Sequence, residues 1–309
     1  MVDPDVLELH LPGESWVTAD VLEATLRRAG SPLDKSVKCV RFIVLAECKL
    51  MLDALARLLA LCNQLVESRK RVELDFSDSK ATLSYLNRIG FLNLLSDAVE
   101  VIPKRPRLDL ASTYKGHNDG VVELQVIDPS APDKTIPESL RRSFVRSAGD
   151  SYSDAAFTVL AELLDNVYQH SRATTKGFAG LQVYRSGKGK RILTVISDNG
   201  LGIVGTLEPV LEKRYPLLRR QINESRAHTG VALLKRVFSD GGISQVDEDG
   251  RGLGLKVSGD YAKKYSATIS VRQSDFELRV HRGAQRRFSD AQNLARVEGT
   301  HICFDFQVD

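Results

Sequence analysis

Short apolar runs alternate with amphipathic helical patterns over the first 110 residues, and this alternation restricts the fold of the chain more than any other feature. Strand-like runs such as VLELHL (6–11) and VELDF (72–76) are separated by helical patterns, the longest of them from Leu50 to Val66. Strands that alternate with helices are typical of an α/β layer in which helices pack on a sheet. The sequence therefore predicts an α/β domain over residues 1–110.

The order of elements changes in the second half of the chain. Residues 111–130 include polar stretches without a sustained period, and we expect them to be a linker around one strand, VVELQVID. Residues 131–309 then show two helical patterns, two strands, a long irregular insertion at about 205–250, another helix and three strands. This order predicts a self-contained α+β two-layer sandwich, in which helices cover one face of a mixed sheet.

Charge and cysteine content argue against several classes of protein. The formal net charge is +3, too close to neutral to indicate a nucleic acid or an anionic membrane as partner. The four cysteines have neither metal-binding spacing nor the pattern of a secreted disulfide framework, so we expect buried thiols in a reducing compartment. The N-terminal residues lack the pattern of a signal peptide, and charges interrupt the most apolar segment. We therefore expect a cytoplasmic protein without a membrane span.

A polar stripe interrupts the apolar helical segment ELLDNVYQHS at residues 162–171. Glu162, Asn166 and His170 recur at steps of four, which places them within about 80° of one another on a helix. We expect the apolar side chains Phe157, Leu160, Leu164 and Val167 to gather on the opposite side. By itself such a stripe is more often a solvated face than a site.

Three glycine-containing segments follow the stripe. ILTVISDNGLGIVG (192–205) is a strand that runs into a loop, with Asp198 at the end of the strand. GRGLGLKVSGDYAKKY (250–265) is a glycine-rich loop that opens a helix, where free N–H groups form a phosphate cradle. It lacks the Lys-Ser/Thr pair of a P-loop. Finally, VEGTHICFDFQV (297–308) places Gly299 and Thr300 before the last strand.

These four segments, in this order, resemble the motifs of the GHKL nucleotide-binding family, named for gyrase, the Hsp chaperone, histidine kinases and MutL. The resemblance covers roughly residues 130–309 and implies a Bergerat-type ATP-binding fold. The residues that fit its boxes are Glu162, Asn166 and His170 (N box), Asp198, Gly200 and Gly202 (DxGxG box), Gly250, Gly252 and Gly254 (GxGxG box), and Gly299 with Thr300 (terminal Gly-Thr).

The resemblance implies a role for each box. Asp198 would accept a hydrogen bond from the adenine amino group, with Thr300 sharing that network through water, and Gly202 would let the base pack against the loop. Asn166 would supply an amide oxygen to Mg²⁺, a hard cation that prefers oxygen ligands. Glu162 would orient or deprotonate the nucleophile that attacks the γ-phosphate.

The resemblance also assigns the loop before the last helix and the insertion. Backbone N–H groups of the loop would hold the phosphates of ATP, with Arg251 adding charge. The insertion at about 205–250 corresponds to the ATP lid, a segment expected to order over the nucleotide. Lys235 and Arg236 in it are candidate phosphate contacts, although an exposed basic helix face explains them equally well.

The first residue of the N box indicates which members of the family this chain resembles most. The hydrolytic members and the anti-sigma factor serine kinases carry a Glu at this position, as this chain does at Glu162. The N box of this chain is most similar to that of the anti-sigma factor serine kinases. None of the six histidines is followed by the phosphoacceptor pattern, so we do not expect a classical histidine kinase. In the first half, residues 71–95 loosely resemble a STAS-like regulatory domain, with Ser77, Ser79 and Thr82 near its phosphorylated position. The simpler interpretation is that Ser77 or Asp78 caps a helix.

Three functions remain open from the sequence. The first is a regulatory ATPase whose lid state controls the interaction of an α/β domain with a partner protein. The second is a serine/threonine kinase that acts on a STAS-like partner. The third is a module that binds ATP without turnover, which the retained Glu162 disfavours because a pure binder needs no base. ATP and Mg²⁺ are the expected cofactors, and nucleotide-dependent homodimerisation is an expectation from the resemblance.

Overall fold

The computed structural model describes residues 5–170, 176–186, 189–225, 227–241, 243, 254–264, 267–281 and 287–308. At positions 155, 166, 169, 170, 186, 254, 262–264 and 287 it describes the backbone alone. The chain divides into two compact units: residues 1–125 with 294–297, and residues 126–293 with 298–309.

The first unit contains a four-stranded parallel sheet in the order β1-β3-β5-β6. Its side chains Leu9, Val40, Phe42 and Leu74 are buried, as the apolar runs predict. A second, two-stranded parallel sheet pairs β2 with β4. The strand bounds are β1 Val6–Leu11, β2 Trp16–Val17, β3 Cys39–Val44, β4 Lys49–Leu50, β5 Arg71–Asp75 and β6 Glu100–Ile102.

The helices of the first unit supply the rest of its core. Thr18 accepts a hydrogen bond from the backbone N–H of Val21 and caps the first helix. The second helix is the long apolar segment, and it packs against the first helix and against β5. The helix bounds are α1 Ala19–Ala29, α2 Leu52–Glu67, α3 Lys80–Arg88, α4 Phe91–Leu94 and α5 Leu110–Tyr114. The predicted α/β class of this region is confirmed.

Three details of the first unit differ from the sequence prediction. The helical pattern that follows β5 in the sequence forms two helices, α3 and α4, because Gly90 has a left-handed backbone (φ 84°) between them. The cap of α3 is Ser79, and neither Ser77 nor Asp78 holds that position. The start of the predicted linker is helical: it lies in α5, and the side chain of Asp109 caps the first turn of α5 by accepting a hydrogen bond from the backbone N–H of Ser112.

The second unit is built on a seven-stranded sheet in the order β12-β11-β10-β13-β9-β8-β7. Antiparallel pairing joins β8 with β9, β9 with β13, β10 with β11, and β11 with β12. Along the chain, the boundary between the two units falls after residue 125, within β7. The strand bounds are β7 Val121–Ile127, β8 Gly177–Ser186, β9 Gly189–Asp198, β10 Ala267–Ser274, β11 Phe276–His281, β12 Arg287–Ala291 and β13 Val297–Val308.

Helices pack on this sheet and complete the predicted α+β two-layer sandwich. The second and the last of these helices contact the central strands, and side chains of both line one apolar cavity together with Thr194 of β9 and Phe304 of β13. The helix bounds are α6 Thr135–Ala148, α7 Ser153–His170, α8 Gly202–Arg214, α9 Pro216–Glu224, α10 Thr229–Ser239 and α11 Gly254–Lys264, with a single 3-10 turn at Asp150–Tyr152.

Two details of the second unit correct the sequence prediction. The insertion expected to be irregular contains the helices α8, α9 and α10 among its described residues. The amphipathic period of α10 buries Val231, Leu234 and Phe238, so it has its own apolar face. Four strands, not three, follow α11 among the described residues, and a turn at Asp275 divides β10 from β11.

The four cysteines are free and buried, as the sequence predicts. Burial raises the pKa of the Cys48 thiol to about 11 and also raises the pKa of Cys62. Among the described helices none is both long enough and apolar enough to cross a bilayer.

Candidate functional site

Asp198 and Thr300 form a buried pair at the centre of the large sheet. They lie directly opposite each other across β9 and β13, and both side chains are buried. The backbone N–H of Gly200 donates to Asp198 Oδ1 at 2.7 Å, and the hydroxyl and backbone N–H of Thr300 also donate to the carboxylate. Burial raises the pKa of Asp198 above its ordinary 3.8, and these hydrogen bonds offset part of that rise.

The side chain of Gln273 joins this pair to the start of α8. Gln273 lies on β10, the other neighbour of β13 in the sheet. Its Nε2 donates to Thr300 Oγ1 at 2.9 Å, and its Oε1 accepts from the backbone N–H of Val204 at 3.2 Å. A chain of hydrogen bonds therefore runs from the first turn of α8 through Gln273 and Thr300 to Asp198.

Two glycines permit the close packing of this network. Gly299 has φ 87°, and a Cβ at this position would lie 1.9 Å from the carbonyl oxygen of Asp198. Gly202 opens α8, and a Cβ there would lie 3.3 Å from the Gln273 amide carbon and from the Gly299 carbonyl oxygen. A side chain at Gly299 is excluded, and one at Gly202 would push against the amide of Gln273.

The polar stripe begins on α7, which packs against β9 and α11. Glu162 is partly exposed, and no ion pair of its carboxylate appears in the described part of the chain. The buried positions on this helix include Ala156, Val159, Leu160, Leu163, Leu164 and Val167.

The prediction that Phe157 belongs to the buried side of α7 is wrong, because its side chain is 60% exposed. At 100° per residue the buried positions centre about 90° from Phe157 and about 130° from Glu162. The buried face is therefore rotated towards the polar stripe. Leu163 and Val159, which the prediction left out, take the place of Phe157.

The remaining predicted residues lie partly outside the described structure. The backbone places Asn166 and His170 one and two turns after Glu162 on α7, and Gly254 at the start of α11. Gly250, Arg251 and Gly252 lie outside the described residues. Because α7 and α11 pack against each other, the helix of the N box and the helix opened by the glycine-rich loop are neighbours.

Lys235 and Arg236, the candidate phosphate contacts of the insertion, have acidic partners. Lys235 Nζ lies 2.8 Å from Asp290 Oδ1, and Arg236 Nη1 lies 2.7 Å from Asp240 Oδ2. These contacts favour the interpretation of the two as an exposed basic face of α10. Across the described residues, no group of three His, Cys, Asp or Glu side chains is arranged to hold a metal ion.

Sequence reasoning missed Gln273, although the sequence holds a signal for it. The inward-facing positions of β10 are Ala267, Ile269, Val271 and Gln273, so one amide ends an otherwise apolar series. A buried amide in such a series requires hydrogen-bond partners. Its partners come from segments distant in sequence, which is why the signal has no meaning before the strand order is known.

One comparison with known proteins gives a match, and it falls on this site. The sequence model of a family described as "Histidine kinase-, DNA gyrase B-, and HSP90-like ATPase" matches residues 151–307, about half of the chain. The match spans α7, Asp198, α11 and Thr300. No curated protein matches the chain.

Proposed function

Because this chain belongs to the histidine kinase-, DNA gyrase B- and HSP90-like ATPase family, we propose that its ATP-binding domain hydrolyses ATP slowly and thereby regulates a partner protein. The matched residues lie in the second unit apart from residues 294–297. ATP is the cofactor that the family implies. The following assignments of individual residues are part of the proposal.

The acceptor capacity of Asp198 is the observation that carries the proposal. A carboxylate offers about four acceptor positions, and three of them receive N–H or O–H donors from Gly200 and Thr300. One position remains for a donor from a ligand, and the exocyclic amino group of adenine is such a donor. A buried carboxylate is costly unless its positions are filled, so a ligand amino group would be held strongly.

The phosphate end of the nucleotide would lie against α7 and the start of α11. We propose that Glu162 orients or deprotonates the nucleophile that attacks the γ-phosphate, because its side chain is partly exposed and therefore accessible to water. Asn166 follows one turn later on the same helix, and its amide oxygen suits Mg²⁺, which when bound would neutralise phosphate charge. His170, Gly250, Arg251, Gly252 and Gly254 complete the proposed contacts to nucleotide.

The helices α8 to α10 correspond to the lid in this proposal. Gly202 lies at the start of α8, four residues after Asp198, so the lid begins directly beside the proposed adenine pocket. A change in the position of this segment on nucleotide binding would alter the surface offered to a partner protein.

Calorimetric titration with Mg-ATP tests binding. We expect the wild-type chain to bind and Asp198→Asn to lose at least about tenfold in affinity, since one charged hydrogen-bond acceptor is removed. Asp97→Asn removes a fully exposed carboxylate in the first unit and is the matched control. Normal binding by Asp198→Asn, or no binding by the wild type, would contradict the proposal.

Turnover is tested separately on α7. Glu162→Ala should bind ATP as the wild type does and release no phosphate, whereas Asp165→Ala, an exposed carboxylate on the same helix, should leave turnover unchanged. Transfer of labelled γ-phosphate to a partner protein would favour the kinase hypothesis. If the wild type shows no turnover and Glu162→Ala does not change its function, the hypothesis of a module that binds ATP without hydrolysing it would be favoured.

A further inference from the structure

The amide of Gln273 is buried and makes two hydrogen bonds of fixed direction. Its side chain is 3% exposed, so both polar ends need partners within the protein. The backbone N–H of Val204 can only donate, and the atom that faces it must therefore be the amide oxygen. The amide nitrogen then faces Thr300 Oγ1 and donates to it.

This direction sets the role of the Thr300 hydroxyl. A hydroxyl has one proton and two acceptor positions, and the amide nitrogen occupies one acceptor position. The proton is then free to point to Asp198, to which the hydroxyl donates. Gln273 thus holds Thr300 as a donor to the carboxylate, and the free acceptor position of Asp198 keeps a defined direction.

The same amide supplies the missing cap of α8. The residue at the cap position, Leu201, has no side chain able to accept a hydrogen bond, and the N–H groups of the first turn lack partners within the helix. Val204 is the third residue of α8, the position whose N–H a capping side chain ordinarily satisfies. Gln273 provides that acceptor from across the sheet.

We propose that Gln273 is a positioning residue that couples occupancy of the Asp198–Thr300 pair to the first turn of α8. A ligand donor that engages Asp198 immobilises Thr300, which in turn holds the amide against Val204 and stabilises the start of the insertion. The proposal rests on the proposed function, since the ligand is taken to be an adenine nucleotide.

Adenosine is the probe for the experiment, because it lacks phosphates and reports on the base pocket alone. Gln273→Met removes both hydrogen bonds at similar volume, and we expect about a tenfold loss of affinity. Gln273→Glu retains an acceptor for Val204 but loses the donor to Thr300. Gln292→Met changes an exposed glutamine of the same unit and should bind adenosine normally.

Two readouts separate this role from a merely structural one. The second carboxylate in Gln273→Glu should shift the loss of adenosine binding on acidification to higher pH, because like charges favour the protonated form of Asp198. Amide hydrogen exchange over residues 202–214 should slow when adenosine saturates the wild type. In saturated Gln273→Met that protection should be absent.

The outcomes distinguish the two proposals. No adenosine or ATP binding by the wild type would overturn the proposed function itself. Adenosine binding by the wild type, with equal protection of residues 202–214 in Gln273→Met and an unchanged pH profile in Gln273→Glu, would overturn the coupling role alone. If Gln273→Met does not fold, hydrogen exchange over residues 202–214 in Gln273→Glu decides, because that variant keeps the acceptor for Val204 and loses the donor to Thr300; protection by adenosine equal to that of the wild type would overturn the coupling.

Discussion

A methyl group on Gly299 would lie 1.9 Å from the carbonyl oxygen of Asp198. The backbones of Gly299 and Asp198 thus approach each other so closely that position 299 has no room for a side chain. This contact brings the carboxylate and the hydroxyl of the buried pair to the same position on β9 and β13. A glycine directly before Thr300 is therefore required by the geometry of the pair.

We expect Gly299→Ala to prevent stable folding of the second unit. The close contact is with backbone, which cannot move without breaking the β9–β13 pairing, and the backbone conformation adds strain. Gly149→Ala is the control, because Gly149 has φ 110° but nothing within 4 Å of its Cβ. It should cost only the strain, about 1–3 kcal/mol. Urea unfolding followed by circular dichroism measures both, and equal losses would refute the close contact.

Nucleotide binding should weaken on acidification at a higher pH than an exposed aspartate would predict. Burial raises the pKa of Asp198 above 3.8, and only the ionised carboxylate has the free acceptor position. Affinity is then full above the raised pKa and falls as pH decreases through it. Adenosine should also release a proton on binding near that pH. Titrations in buffers of different ionisation enthalpy measure the release, and Asp198→Asn should show none.

The same shift has a consequence for the nucleotide-free protein. An acid with a raised pKa in the folded state stabilises the fold most when protonated, below its ordinary value of 3.8. That contribution is lost as pH rises through the raised pKa. Asp198→Asn should accordingly flatten this part of the stability profile. An unchanged profile would mean that another group is responsible.

The rotated buried face of α7 predicts a large loss of stability at one apolar position and almost none at another. Leu163→Ala should destabilise the second unit by about 2–5 kcal/mol, since Leu163 is 1% exposed. Phe157→Gln should change stability by less than about 0.5 kcal/mol, because the ring is mostly in solvent. Urea midpoints of the two variants test this. A large loss of stability in Phe157→Gln would instead support the buried face that the sequence pattern predicted.

A buried ion pair in the first unit offers a test of that unit alone. Arg57 Nη1 lies 2.9 Å from Glu23 Oε1, and both side chains are more than 90% buried. Arg57→Met should cost about 3–5 kcal/mol because it leaves a buried carboxylate without this partner. Lys38→Met removes an exposed pair with Asp5 and should cost less than about 1 kcal/mol.

Cysteine alkylation separates the two units in this measurement. Cys48 and Cys62 lie buried in the first unit, and Cys303 lies buried in the second. Mass spectrometry after a short pulse of alkylation across a urea gradient gives the unfolding midpoint of each unit. Arg57→Met should lower the midpoint reported by Cys62 and leave that of Cys303 unchanged if the units unfold independently.

Much of the architecture could be predicted because it depends on local periodicity. The alternating strands and helices of the first unit and the helix of the N box follow from apolar runs and spacing, and the order of the boxes identified the family. The helices of the insertion were missed, since proline at 209 and 216 and many charges obscure their period. The division at Gly90 was missed because glycine inside a helical pattern is ambiguous.

The residues of the site could be predicted only where a short stretch of sequence around them forms a recognisable motif. Asp198 and Thr300 are recognisable from their own segments, but Gln273 acquires its role from β13 and from the first turn of α8. The buried side of α7 was misjudged at Phe157 because several apolar residues surround the helix on more than one face. Which of these faces is buried depends on α11 and β9, and a single helical pattern does not contain them.

The position of β13 between β10 and β9 has a consequence for synthesis of the protein. In a nascent chain that has not reached residue 297, the described strands of this sheet form two separate groups, β7-β8-β9 and β10-β11-β12, in which β9 and β10 each lack the neighbour that β13 provides. The ribosome must release residues 297–308 before the two groups join and Asp198, Gln273 and Thr300 meet. Nucleotide therefore cannot assist folding of this unit until translation has passed its central strand, and chains interrupted earlier would expose β9 and β10 as additional open edges for aggregation.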